Sequence, residues 1–118
     1  MSEARTLVDA HVAAFNAGDL DALVDGFAED AIFATADHLV VGRRGLRAMF
    51  GDALTSLQPR MEVRAAVEQG DVVACELSER LTVEGTTFEF ALAAFFTVRG
   101  GRIVRVKVYR EGVEPESA

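Results

Sequence analysis

The chain has 118 residues, half of them hydrophobic, and a formal net charge of −7. That length suits one domain with a sizeable core, and the apolar content excludes intrinsic disorder. The acidic balance argues against nucleic acid, the seven-residue apolar run Phe90–Phe96 falls short of the ~20 residues of a membrane span, and Cys75 alone builds no disulfide framework. The N-terminus (MSEARTLVDAH) carries acids where a secretory leader would be basic and then apolar, so a cytoplasmic protein is expected.

The first third reads as helical. Leu7, His11 and Phe15 recur at i, i+4 and i+8 beside Val8 and Val12, with Ser2 as the cap and Asn16-Ala17-Gly18 as the stop. Asp19 caps a second helix, predicted to run through Leu20, Leu23, Val24 and Phe27. Ala31–Thr35 and Val40-Val41 read as short strands. Gly42–Gly45 leads into a third helix whose apolar face holds Leu46, Met49, Phe50, Ala53, Leu54 and Leu57, and Pro59 keeps it from continuing.

After Pro59 the hydrophobic period drops from 3.6 to 2. Met61, Val63, Ala65 and Val67 alternate with polar or small residues, and the runs Val72–Glu84, Thr86–Val98 and Ile103–Arg110 follow across Gly-containing turns. Four such strands predict an antiparallel meander, and helices before sheet predict an α+β fold with the sheet covering the helices. Residues 1–112 are expected to form a single domain, with 113–118 as a polar C-terminal tail.

Thr86–Val98 is apolar on both faces. Phe88, Phe90, Leu92, Ala94 and Phe96 occupy one, and Ala91, Ala93 and Phe95 the other. Either the strand lies at the centre of a two-sided core, or a second subunit covers its outer face. The second reading makes the protein a homodimer.

The order of elements and three segments carry a resemblance. HVAAFNAGDLDALVDGFAEDAIF (His11–Phe33), VVGRRGLRAMF (Val40–Phe50) and the closing GGRIVRVKVYRE (Gly100–Glu111) resemble the ketosteroid isomerase / polyketide cyclase (SnoaL-like) branch of the nuclear transport factor 2-like superfamily. The resemblance implies a cystatin-like cone: a strongly curved antiparallel sheet wrapped around three helices, with an apolar pocket in its mouth and usually a dimer. It is specific for fold and weak for function, because this fold hosts enzymes and non-enzymatic modules alike.

Isomerase chemistry of this kind needs an Asp base, and a Tyr and a protonated Asp that donate hydrogen bonds to the dienolate oxygen. The resemblance places the Tyr position on His11, the base slot on Thr35 with Asp37 two residues beyond, and the protonated Asp on Ala93 or Ala94. Standard ketosteroid isomerase activity is therefore not expected. Epoxide hydrolysis of the limonene type needs an Arg and an Asp two apart on a strand. Arg80 is followed by Thr82, and Glu62-x-Arg64 runs in reverse order, which disfavours that reading too.

Three polar residues remain out of place. His11 interrupts an apolar helix face, Glu79 breaks an apolar strand face, and Asp37 lies in the loop after the first strand. As core histidine, strand end and turn residue they would be structural. As a pocket set they would carry acid–base chemistry on an apolar or polycyclic substrate, an isomerase, dehydratase or cyclase type of reaction. Phe15, Phe33, Thr35, Phe50, Leu54, Ala93, Phe95 and Val106 are the expected pocket lining. No cofactor and no metal are expected, since the chain holds only two His. The alternative is a non-catalytic dimeric domain that binds an apolar small molecule or acts as a scaffold.

Overall fold

Helix α1 (Glu3–Ala17) opens a chain whose computed structural model describes residues 2–110. The tail expected at 113–118 lies outside that range. Ser2 accepts a hydrogen bond from the Arg5 N–H at the start of α1, and Gly18, at φ 70°, closes it by donating to the Ala14 and Phe15 carbonyls. Asn16 then ties the helix to the sheet, donating to the Met61 carbonyl at 2.8 Å and accepting from the Met61 N–H at 2.7 Å. Asp19 caps α2 (Leu20–Asp25) through the Ala22 N–H.

Strand β1 (Phe27–Ala34) begins four residues before the expected position. Phe27 is therefore a strand residue and not part of a helix face. It lies opposite Ile103, and both are fully buried or nearly so. The Arg43 guanidinium fastens this junction by donating from Nε and Nη2 to the Phe27 carbonyl at 2.9 and 2.7 Å. The short strand β2 (Leu39–Val41) returns antiparallel to β1, and helix α3 (Arg43–Ser56) follows.

The meander forms as the alternation implies: β3 (Arg60–Gln69), β4 (Val72–Val83), β5 (Thr86–Arg99) and β6 (Arg102–Arg110). Gly100 and Gly101, both at positive φ, make the two-residue turn between β5 and β6, a conformation that suits the twist of paired strands. The six-stranded sheet has the order β2-β1-β6-β5-β4-β3. It is antiparallel throughout except for β1, which joins β6 in parallel, so the sheet is mixed.

Cross-strand register decides which residues share a face. One row runs Glu68, Val73, Phe96, Val106, Phe33 and Val40 across all six strands, on the side that packs against the helices. The neighbouring row, Val67, Ala74, Phe95, Lys107, Ala34 and Leu39, stands on the opposite side. The expected apolar stripe of β3 is broken on the way. A bulge between Val63 and Ala65 turns Ala66 inward, opposite Cys75, and sends Ala65 and Val67 outward. An extra residue reverses the alternation beyond it, which a period-2 pattern does not register.

Helices and inner sheet face meet in one core. Val8, His11, Val12 and Phe15 of α1 enter it with Leu23 of α2, Leu46 and Phe50 of α3, and the inner row of the sheet. The result is an open, curved six-stranded sheet around three helices.

Candidate functional site

His11 enters the core from the middle of α1, one turn from both Val8 and Phe15, and only 7% of its surface is exposed. Three aromatic rings stand edge-on to it: Phe96 at 5.3 Å, Phe27 at 5.5 Å and Phe50 at 6.1 Å between centroids. Phe50 in turn meets Phe15 and Phe33. Nδ1 of His11 is buried without a hydrogen-bond partner among the described residues. Burial pulls the imidazole down from its ordinary 6.5 to about 4, so it is neutral at pH 7. A neutral ring that carries one unused nitrogen can accept or donate a hydrogen bond, but it is a poor proton donor in this pH range.

Glu79 is the second buried polar residue, also 7% exposed. It lies on the inner face of β4 opposite Phe90, with Leu77 and Leu92 as the next inward pair. Arg110, opposite Leu92 on β6, shares that face and brings Nη1 to 2.9 Å from Glu79 Oε1. Its N–H groups are not aimed at that oxygen, which accepts no hydrogen bond among the described residues. The guanidinium also stands over the Phe90 ring at 5.5 Å. A buried carboxylate thus stands on the inner sheet face beside Leu77, Phe90 and Leu92, with the Arg110 cation against it.

Asp37 does not join them. It is exposed in the bend between β1 and β2, where Thr35 accepts from the His38 N–H and donates its own N–H to the His38 carbonyl. Strands β6 and β5 lie between β1 and β4, which puts ~14 Å of sheet between that hairpin and Glu79. The register explains the miss, because a loop residue after an edge hairpin is not carried to the middle of the sheet. His11 and Glu79 also sit at different levels. His11 is against Phe96, and Glu79 is opposite Phe90, six residues along the same strand.

Of the expected lining, Phe15, Phe50 and Val106 are buried, and Phe33 and Leu54 pack half-buried against the core. Thr35 is half-buried, with its hydroxyl engaged in the turn. Ala93 and Phe95 are corrected by the structure. They belong to the outer face of β5, where Phe95 is 41% exposed and meets Tyr109 edge-on. On a strand, neighbours alternate, so the inward Leu92, Ala94 and Phe96 force Ala93 and Phe95 outward.

A surface cleft of about 410 Å³ opens beside this interior, at the C-terminal ends of α1 and α3. Phe15 and Leu54 line it together with Asn16, Gln58, Arg60 and Arg80. One contributor, Arg110, is not legible in the sequence by itself, where it stands only as the last residue of a closing strand. The signal for Arg110 was its even spacing from Val106 and Val108, which marks the inner face; its pairing with Glu79 needed the tertiary register.

Residues 8–106 match the family model of the SnoaL-like domain, and the chain belongs to that family. Solved structures agree in fold. The epoxide hydrolase/cyclase-like enzyme SalBIII, described in pyran ring formation in the polyether salinomycin, superposes with a TM-score of 0.87 at 22% identity, over 94% of this chain and 92% of its own. An LEH-like epoxide hydrolase of M. tuberculosis gives 0.86 at 19% identity, over 92% and 83%. A protein of ketosteroid isomerase-like fold from Catenulispora acidiphila, in complex with trimethylamine, gives 0.84 at 20% identity, over 92% and 88%. Comparison with curated protein sequences gave no significant match. Among the described residues no helix is long and apolar enough to cross a membrane.

Proposed function

We propose that the protein is a small-molecule enzyme that works by proton transfer on an apolar or polycyclic substrate held against the concave face of the sheet. Isomerisation, dehydration or cyclisation would each need a group that takes a proton and one that returns it, facing one apolar ligand. The observation that carries the reading is Glu79: a buried carboxylate on an apolar face, with an oxygen that accepts no hydrogen bond and Arg110 at 2.9 Å. Unsatisfied buried polar atoms are uncommon in folded proteins, and a ligand group would satisfy this one. In this reading Glu79 takes and returns the proton, Arg110 orients it and offers further N–H groups to a substrate oxygen, and the neutral His11 hydrogen-bonds through an unused nitrogen. Relatives of the same fold described as cyclase-like and epoxide hydrolase-like lend support to small-molecule chemistry.

The test is turnover of a panel of β,γ-unsaturated ketones, small epoxides and polycyclic polyketides, followed by a pH–rate profile on any substrate consumed. Glu79→Gln is expected to lower kcat by about 100-fold or more, as loss of a general acid–base does, with an unchanged circular dichroism spectrum. Full activity in Glu79→Gln would remove Glu79 from the chemistry.

A second reading has its own observation. The three aromatic rings around His11 make an apolar cage without a proton donor active near neutrality. A domain that binds an apolar molecule without reacting would show saturable binding of that molecule, no turnover, and no loss of affinity in Glu79→Gln.

A further inference from the structure

The cleft at the C-terminal ends of α1 and α3 takes no part in the reaction proposed above, yet its charge is opposite to that of the chain. The protein carries 19 acidic and 12 basic residues, whereas the lining of the cleft holds Arg60 and Arg80 and no Asp or Glu. The two arginines are direct cross-strand neighbours, Arg60 on β3 opposite Arg80 on β4. Like charges set opposite one another on paired strands are destabilising. Glu89, opposite Arg80 on β5, relieves one of them across 3.7 Å. Arg60 forms no ion pair among the described residues. The next acids on these strands, Glu62 and Glu79, are taken by Arg64 and Arg110 at 2.8 and 2.9 Å. One positive charge is left unbalanced.

The walls around that charge are apolar and fastened. Phe15 and Leu54 line the cleft from α1 and α3, with Pro59 beside them. The Leu57 carbonyl accepts from the Thr82 N–H at 2.8 Å, which ties the segment carrying Gln58 and Pro59 to β4. Gln58 is held at φ 47°, uncommon for a residue with a side chain and more so before proline. At about 410 Å³ the space falls in the range of small-molecule sites.

The geometry points to an organic monoanion as the ligand of this cleft: a carboxylate across the guanidinium groups of Arg60 and Arg80, with an apolar body against Phe15, Leu54 and Pro59. A single carboxylate matches both the one unbalanced charge and the fork of an arginine, whereas a dianionic phosphate exceeds that charge. The site goes beyond the proton-transfer reading. Binding is measured without turnover, so failure of either leaves the other standing.

Isothermal titration of the full chain with 2-naphthoate, at pH 7 and low salt, is expected to give saturable binding. It is expected to be at least ~10-fold tighter than with the uncharged 2-naphthamide, and to weaken as salt is raised. Arg60→Gln and Arg80→Gln are each expected to weaken it by at least ~10-fold. Arg102→Gln, at the turn between β5 and β6, is expected to leave it unchanged. Both tested positions are exposed, and circular dichroism reports whether each variant keeps its fold. The comparison of acid with amide needs no variant and reads the charge in the wild-type chain. Absence of binding, equal affinity for acid and amide, tighter binding of 2-naphthyl phosphate, or indifference to both Arg60→Gln and Arg80→Gln would overturn the inference.

Discussion

His11 was placed by its helix period and disarmed by its surroundings. Its position at i+4 between Leu7 and Phe15 already marks the buried side of α1, but only the three rings around it account for a pKa near 4. The depressed value makes stability depend on acid. The unfolded chain takes up the proton near pH 6.5, and the folded one only near 4, so the unfolded state binds more protons in between. Stability is therefore full above about pH 6.5, falls as pH drops through that window, and levels off below it, by a total of about 3 kcal/mol. Urea denaturation between pH 7.5 and 4 measures this. His11→Leu, which removes the titration and the orphaned Nδ1, is expected to flatten that dependence. An equal acid loss in His11→Leu would place the effect in other groups.

At the scale of elements, α3 holds two glycines in different surroundings. A Cβ at Gly45 would lie 2.8 Å from Val40 Cγ1, because the start of α3 presses directly on β2. A Cβ at Gly51 would meet only Leu20 Cδ2, at 3.6 Å. Gly51→Ala is thus expected to raise stability by about 0.5–1 kcal/mol through helix propensity. Gly45→Ala carries the same propensity gain but must displace a stiff β-branched side chain, an overpacking cost of ~1–3 kcal/mol, so a net loss of about 1 kcal/mol is expected. Chemical denaturation of the two variants side by side tests the close approach of α3 to β2. A stabilised Gly45→Ala would mean that β2 yields freely. Gly42–Gly45 reads in the sequence as a lead into the helix; in the structure α3 starts at Arg43 and Gly45 lies inside it, at the place where α3 comes closest to Val40 of β2.

At the scale of the whole molecule, the homodimer expected from the doubly apolar strand β5 would link folding to concentration. If the outer face closes against a second copy, the thermal midpoint rises with protein concentration, since association draws on folded chains only. Calorimetry over a hundredfold concentration range is expected to show that rise in the wild type and none in Phe95→Glu. A midpoint independent of concentration in both would agree with a monomer.

Three helices, four long strands and their turns were legible in the chain because periods of 3.6 and 2 and the capping residues are local facts. Ser2, Gly18 and Asp19 act as their positions imply. Tertiary structure decided the rest. The bulge in β3, the parallel docking of β1 on β6 and the outward turn of Ala93 and Phe95 follow from pairing between residues far apart in the chain. So does the site. Asp37 looked available because it follows a strand, and the hairpin leaves it in solvent; Arg110 looked ordinary, and the register of β4, β5 and β6 carries it to Glu79. The same register explains the surplus of apolar residues in a chain half hydrophobic: one set builds the core around His11, and a second, on the reverse of the same strands, is left facing outward.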